Sequence, residues 1–184
     1  MKIQFFVSAL ASASLIGCVP SGDETQESTS GKANLQPIAT APIADEYGED
    51  VGLASIVEAN GSVALNVSLS SMPSGEKALH LHTAGACDGP SFKSAGGHLN
   101  PQSVTHGKLS KTGPHFGDFP NITIAEDGLA EFSFPIAGSS EAALSHIFDE
   151  DGTAVMVHSG PDDYTSDPAG AAGPRIACGV LSRL

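Results

Sequence analysis

The chain of 184 residues has no tryptophan, two tyrosines and eight phenylalanines, and only eight Lys and Arg residues against 21 Asp and Glu. The formal net charge of −13 argues against a nucleic-acid partner, because phosphate binding needs a basic surface. It does not exclude an anionic substrate, which a local positive site can attract. With so few aromatic rings the core must be mainly aliphatic, and 21 glycines and 12 prolines favour a loop-rich chain over a helical bundle.

The N-terminal apolar stretch is too short for a good membrane-spanning helix. A charged start at Met1-Lys2 precedes a mainly apolar segment over residues 3–16, as in a secretory leader. The sequence Leu15-Ile16-Gly17-Cys18 then resembles the lipobox of bacterial lipoproteins. The resemblance implies that residues 1–17 are a lipoprotein signal peptide and that Cys18 carries a lipid. The protein would then be anchored in a bacterial cell envelope, on the periplasmic side or at the outer-membrane surface. An ordinary leader with an unrelated cysteine is the alternative.

The segment after Cys18 is rich in Ser, Thr, Pro, Ala and acidic residues, without apolar periodicity. This composition predicts a flexible tether over residues 18–46 and a folded domain over 47–184. A lipid on Cys18 leaves two further cysteines, Cys87 and Cys178, in an exported compartment that permits disulfides.

Short segments with alternating or β-branched apolar residues predict strands near residues 51–59, 62–70 and 77–83. Asn60-Gly61 separates the first two and is a strong hairpin signal, and a second hairpin is expected with Asp127-Gly128 at its turn. Residues 154–157 are typical of a buried strand, and no long stretch has convincing helical periodicity. The predicted class is therefore all-β, an antiparallel sandwich or barrel.

Two long regions, Thr83 to Phe119 and Ser159 to Pro174, do not fit strands, and long irregular loops in a compact domain are usually functional or disordered. Histidines lie in or beside both. His80 and His82, two apart on a strand, point to the same face, and His158 follows another strand. Several neutral imidazoles suit copper.

The first long loop contains a second set of candidate ligands. Three histidines and one carboxylate suit zinc: His98, His106, His115 and Asp118. Asp118 follows His115 by three residues, which is close enough for both side chains to reach one ion.

In chain order the motifs are His80-Leu81-His82, Cys87, Gly96-Gly97-His98-Leu99-Asn100-Pro101, His106-Gly107, Gly113-Pro114-His115-Phe116-Gly117-Asp118, Val157-His158, Asp162-Asp163 and Gly173-Pro174-Arg175-Ile176-Ala177-Cys178-Gly179-Val180. Their order and spacing resemble the copper-zinc superoxide dismutases, and the bacterial branch more than the eukaryotic one. Leu79 departs from the family pattern, which often has an aromatic residue before the first copper histidine. We expect altered packing there and an intact site.

The resemblance implies a Greek-key β-barrel or immunoglobulin-like sandwich of eight strands, with one copper and one zinc per subunit. The implied copper ligands are His80, His82, His98 and His158. The implied zinc ligands are His98, which bridges both metals, and His106, His115 and Asp118. His146 matches no ligand position, which leaves it as a surface or packing residue.

Three further roles are implied by position in the family. Asp162 would link a copper histidine to a zinc histidine, although a solvated loop acid beside Asp163 is the alternative. Arg175 would hold superoxide near the copper, and Cys87 and Cys178 would form a disulfide.

The implied activity is dismutation of superoxide to oxygen and hydrogen peroxide by redox cycling of copper, with His98 releasing copper and taking a proton. The enzyme would protect the cell envelope. A copper- and zinc-buffering envelope lipoprotein without activity, or a structural lipoprotein with incidental histidines, are the alternatives. The sequence leaves open a monomer or a homodimer, and whether Lys108 and Lys111 steer the substrate.

Overall fold

The computed structural model describes residue 2 and residues 36–184. The compact unit Asn34–Leu184 contains all the secondary structure of these residues. Its elements are β1 (Pro37–Asp45), β2 (Asp50–Ala59), β3 (Ser62–Leu69), β4 (Gly75–Lys77), β5 (Leu79–His82), β6 (Ile122–Ile124), β7 (Ala130–Ile136), α1 (Ser140–Ile147), β8 (Ala154–His158), β9 (Arg175–Val180) and β10 (Ser182–Arg183). The predicted leader and Cys18 lie outside the described residues.

The predicted all-β class is confirmed. One antiparallel sheet has the order β5-β8-β9-β1-β2-β3-β7, with β10 also paired to β1, and it curls into a half-barrel. A second sheet consists of β4 and β6. Ten strands are present in the described residues instead of the eight that the family resemblance implied, and β4, β6 and β10 have only three, three and two residues. Large aliphatic side chains fill the core, as the scarcity of aromatic residues predicted: Ile43, Ile56, Leu65, Leu79, Leu81, Ile122, Ile124 and Ile147.

The tether predicted to end at residue 46 is too long, because residues 37–45 form strand β1. Ala39, Ala41 and Ile43 alternate along it and are buried, and the strand pairs with β2, β9 and β10. Alanine is too weakly apolar to reveal this period-two pattern. Pro37 and Pro42 are also unfavourable in a strand in the interior of a sheet, because proline has no backbone N–H to donate. The folded domain therefore begins no later than residue 37.

The hairpin predicted at Asn60-Gly61 is confirmed. Both residues have positive φ, 52° and 75°, which a two-residue type I′ turn requires, and β2 pairs with β3 on either side. The second predicted hairpin is wrong as a strand pair. Asp127-Gly128 do form a turn, in which Gly128 N–H donates to the Ala125 carbonyl at 3.0 Å. However, β6 pairs with β4 and β7 with β3, so the turn connects two sheets.

Helix α1 was not predicted. It has eight residues, and the Ser139 side chain accepts a hydrogen bond from Ala142 N–H at its first turn. Two turns are too few for a clear apolar period. Within residue 2 and residues 36–184, no helix reaches the length and hydropathy needed to cross a bilayer.

The two long predicted loops are present between β5 and β6 and between β8 and β9, where the only regular element is a 3-10 helix, Lys93–Ala95. A disulfide between Cys87 and Cys178, with Cα atoms 5.7 Å apart, connects the first loop to β9, as the resemblance implied. The two loops start from the neighbouring strands β5 and β8, and the disulfide holds the first of them close to β9.

Candidate metal centre

Four histidines meet at the edge of the large sheet, and we call them the strand cluster: His80, His82, His98 and His158. Strand β5 pairs with β8 so that Leu79 faces Val157, which places the end of β8 beside the start of β5. His98 reaches the cluster from the long loop through an isolated β-bridge to His82. All four rings are buried, and one nitrogen of each lies within 4.8 Å of the others.

The hydrogen bonds of this cluster fix which ring nitrogen is free. His82 Nδ1 donates to the Gly96 carbonyl at 3.0 Å, and His158 Nδ1 donates to the Gly173 carbonyl at 3.1 Å. Because a carbonyl oxygen only accepts, each proton is on Nδ1 and the lone pair is on Nε2. His80 has the opposite arrangement, with Nε2 bonded to Asp162 Oδ2 at 3.0 Å and Nδ1 facing the cluster.

A second group surrounds one carboxylate on the long loop, and we call it the loop cluster: His98, His106, His115 and Asp118. The three Nδ1 atoms lie 2.8, 3.0 and 3.3 Å from the Asp118 oxygens, in the order of the chain. Backbone N–H groups of Gly107 and His115 donate to Asp118 Oδ2 at 2.9 and 3.0 Å. These bonds hold the carboxylate with its oxygens toward the imidazoles.

The Asp162 carboxylate contacts one histidine of each cluster. Its Oδ2 contacts His80 Nε2 at 3.0 Å and its Oδ1 contacts His106 Nε2 at 2.9 Å, and the carboxylate is fully buried. This burial excludes the alternative of a solvated loop acid. Asp163, by contrast, is exposed and bonds to Thr165 and Ser166.

The strand cluster favours neutral imidazoles. Burial lowers the pKa of His80 and of His158 to about 4, and that of His82 to about 2. Neutral imidazole is the form that binds a metal, so these three rings keep their ligand form well below neutral pH.

In the loop cluster His106 has the opposite shift, because two carboxylates pair with its ring, whereas burial lowers the pKa of the shared His98. Burial lowers the pKa of His106, but hydrogen bonds to Asp118 and Asp162 outweigh this and raise it to about 9. Burial raises the pKa of Asp118, and bonds from His106 and His98 reverse this and hold it far below its usual range. Asp162 is likewise shifted to a pKa of about 2, as its histidine bonds outweigh burial.

The chemistry of the donor atoms fits two metal ions. In the strand cluster four buried ring nitrogens have no hydrogen-bond partner: His80 Nδ1, His82 Nε2, His98 Nε2 and His158 Nε2. In the loop cluster the buried Nδ1 atoms of His106 and His115 face the Asp118 carboxylate. Leaving buried polar atoms unpaired is costly, and one metal ion in each cluster would satisfy these nitrogens. His98 belongs to both clusters, with Nδ1 toward Asp118 and Nε2 toward the strand cluster.

Arg175 lies beside the strand cluster. It pairs with His158 across β8 and β9, and its guanidinium donates to the carbonyls of Phe92 and Gly96 at 2.6 and 2.5 Å. The Gly96 carbonyl also accepts from His82, so the arginine and one ring share an anchor. The side chain is half-buried, and burial lowers its pKa.

Sequence reasoning missed the groups that orient these side chains. Asn121 bonds to the backbone of Asp162 in both directions, at 2.8 and 2.9 Å, and Tyr164 N–H donates to the Asp162 carboxylate. The backbone carbonyls carry no signal in residue type.

Lys108, one of the two lysines considered for steering the substrate, lies over the Tyr164 ring at 3.8 Å. His146 packs against Phe116, as expected for a residue without a ligand position.

The chain is similar in sequence to proteins that are named for copper and zinc. A family model described as copper/zinc superoxide dismutase matches residues 51–181. A copper-zinc superoxide dismutase of Aquifex aeolicus is 44% identical over 144 residues, which cover 77% of this chain and 85% of that protein. One of Caulobacter vibrioides is 39% identical over 147 residues, covering 78% of this chain and 84% of the relative.

Solved structures show the same fold. A double mutant of a superoxide-dismutase-like protein from Bacillus subtilis has a TM-score of 0.72 and 35% identity, covering 77% of this chain and 95% of its own. The copper/zinc superoxide dismutase of Brucella abortus has a TM-score of 0.63 and 26% identity, covering 78% of this chain and 99% of its own.

Proposed function

This chain belongs to the copper/zinc superoxide dismutase family, and we propose that it converts superoxide and protons to oxygen and hydrogen peroxide with a copper ion in the strand cluster and a zinc ion in the loop cluster. The observation that carries the assignment is the set of six buried imidazole nitrogens, four of them without a hydrogen-bond partner, that meet in two adjoining clusters. The strand cluster offers only imidazoles, which suit copper, and the loop cluster adds the carboxylate that is common among zinc ligands.

When bound, copper supplies the one-electron redox chemistry, while zinc has no redox chemistry and fixes the geometry around His98. The protein supplies rigid ligands. Three of the four rings of the strand cluster are held through their second nitrogen by the Gly96 carbonyl, the Gly173 carbonyl or Asp162. Such partners fix ring orientation and tautomer.

Two residues have roles toward the substrate. Arg175 places a permanent positive charge beside His82 and His158, where it attracts and orients an anion. The two ring nitrogens of His98 have different surroundings: Nδ1 faces the Asp118 carboxylate at 2.8 Å, and Nε2 faces the strand cluster without a hydrogen-bond partner. With Nδ1 held by zinc, Nε2 would be free to take up and release a proton. A histidine whose two nitrogens have different partners is suited to deliver a proton at one of them.

Metal content and dismutase activity of the purified protein, loaded with copper and zinc, test this function. We expect one copper and one zinc per chain, and activity that is lost when a chelator removes the copper. Tight binding of both metals without activity would support the buffering alternative. The position of Arg175 beside the strand cluster disfavours that alternative, because metal storage needs no anion-binding group at an open copper position.

We further propose that the protein acts in the cell envelope, with residues 1–17 as a signal peptide, a lipid on Cys18 and a tether from there to strand β1. The Leu15-Ile16-Gly17-Cys18 motif supports the anchor, and the disulfide between Cys87 and Cys178 is compatible with an oxidising compartment.

Fractionation of cells that produce the wild-type protein or Cys18→Ala tests the location. The wild type should be found with membranes and the variant should not. An equal distribution of the two proteins would overturn the lipid anchor without affecting the proposed activity.

A further inference from the structure

One polar side chain in the Gly96 to Pro101 motif has no part in the proposed function. Asn100 makes two hydrogen bonds to a single residue: its Nδ2 donates to the Val104 carbonyl at 2.8 Å, and Val104 N–H donates to its Oδ1 at 3.1 Å. The side-chain amide therefore pairs with the Val104 backbone as a neighbouring strand would. The turn is closed further by Ser103 N–H, which donates to the Asn100 carbonyl at 3.1 Å.

The Val104 carbonyl is also the anchor of one histidine of the loop cluster. His115 Nε2 donates to it at 3.1 Å, so both lone pairs of this oxygen are used. Because the oxygen only accepts, Nε2 carries the proton and Nδ1 keeps the lone pair. That Nδ1 is buried, lies 3.3 Å from Asp118 Oδ1 and has no hydrogen-bond partner.

We infer that Asn100 is a positioning residue for zinc: it holds the Val104 carbonyl where that oxygen sets the ring orientation and tautomer of His115. The inference rests on the proposed assignment of zinc to the loop cluster. Without the amide, the carbonyl can turn toward solvent, since Val104 is only half-buried. His115 would then lose the bond that keeps Nδ1 free.

The effect should be confined to zinc. His82 and His158 are anchored by the Gly96 and Gly173 carbonyls, and His80 by Asp162, and none of these bonds includes Asn100. A residue that acted only on general stability would weaken both metal sites alike.

The test compares Asn100→Ala and Asn100→Asp with the wild type in the purified protein. Asn100→Asp has nearly the same shape and keeps the acceptor for Val104 N–H, but it replaces the donor with an oxygen that repels the carbonyl. Gln102→Glu adds the same charge two residues away, and Asn66→Ala removes an amide from strand β3, so both serve as controls. Zinc affinity is measured by competition with a chromophoric chelator, and Co²⁺ in the zinc site is followed by its visible spectrum.

We expect both Asn100 variants to bind zinc about tenfold more weakly, near the lower limit for partners of metal-bound histidines, with altered Co²⁺ bands. Their Cu⁺ affinity and both controls should match the wild type. Wild-type zinc affinity and Co²⁺ spectra in the two variants would overturn the inference, and so would an equal loss of copper and zinc. If the wild-type protein itself bound neither zinc nor Co²⁺ at the loop cluster, the proposed function would fail first.

Discussion

The strand cluster and the loop cluster share His98 but are built from different kinds of structure. His80, His82 and His158 belong to β5 and β8, so sheet hydrogen bonds set their spacing. The loop cluster lies wholly in the irregular segment between β5 and β6, where the bonds to Asp118 and to the Val104 carbonyl replace a sheet ladder. The geometry of the strand cluster therefore depends on the sheet, whereas that of the loop cluster depends on a few local hydrogen bonds.

The two clusters also differ in charge. Burial favours the neutral form in the strand cluster, whereas carboxylates favour the protonated form of His106 in the loop cluster. A metal therefore enters the first without displacing protons near neutral pH, and must displace a proton from the second.

Replacing the shared residue should have the largest effect. In His98→Ala both clusters lose a ligand and the proton-holding Nε2 is removed. We expect dismutase activity to fall about 100-fold or more, the range of a lost acid–base group. His146→Ala, which removes a histidine from α1 outside both clusters, is the control. Full activity and normal metal content in His98→Ala would refute the bridge.

Asp162→Asn should loosen the connection between the clusters. An amide has only one acceptor oxygen, so it can accept a hydrogen bond from His80 or from His106 but its nitrogen cannot accept the other. We therefore expect zinc affinity to fall about 10- to 100-fold, with a smaller loss of copper affinity. Asp163→Asn, one residue along and exposed, should behave as wild type in the same titrations. If the two variants bound zinc and copper equally well, the contacts of Asp162 with His80 and His106 would contribute nothing to metal affinity.

Arg175→Ala should act on the substrate and leave both clusters filled. We expect kcat/KM for superoxide to fall about tenfold, with unchanged metal content, because the local positive charge is lost. The activity of the wild type should decrease with ionic strength more steeply than that of the variant. If both proteins had the same salt dependence, the arginine would be a structural anchor only.

The smallest expected effect concerns the pH dependence of the metal-free protein. Histidines with a lowered pKa stabilise the fold above about pH 6.5, and this stability is lost as pH falls toward 4. His106, with its pKa raised to about 9, stabilises it below about 6.5, and this contribution is lost as pH rises through 9.

The free energy of unfolding of the metal-free protein, measured in denaturant across this pH range, should be largest near neutral pH. His158→Gln should reduce the loss of unfolding free energy at acid pH, and His106→Gln should reduce the loss at alkaline pH. Each reduction should be on the order of 1 kcal/mol. The reverse outcome for the two variants would contradict the charge comparison.

The members of the two clusters could be predicted from the sequence because they lie in motifs of fixed spacing, such as His80-Leu81-His82. The groups that orient them could not, because three of the four anchors named here are backbone carbonyls, at Gly96, Gly173 and Val104, and any residue has a carbonyl. Strand β1 could not be predicted for another reason: its buried side chains at Ala39 and Ala41 are small and only weakly apolar, so the segment has no clear alternating pattern.

The place of β1 in the sheet determines the order in which the protein can be completed. This first strand pairs with β9 and β10, the last ones, with Ala44 opposite Cys178 and Ala39 opposite Arg183. The sheet therefore cannot close until the C-terminal end of the chain has been synthesised, and contacts so distant in sequence form slowly. The arginine beside the strand cluster is on β9, so a chain that stops before β9 lacks the positive charge next to that cluster.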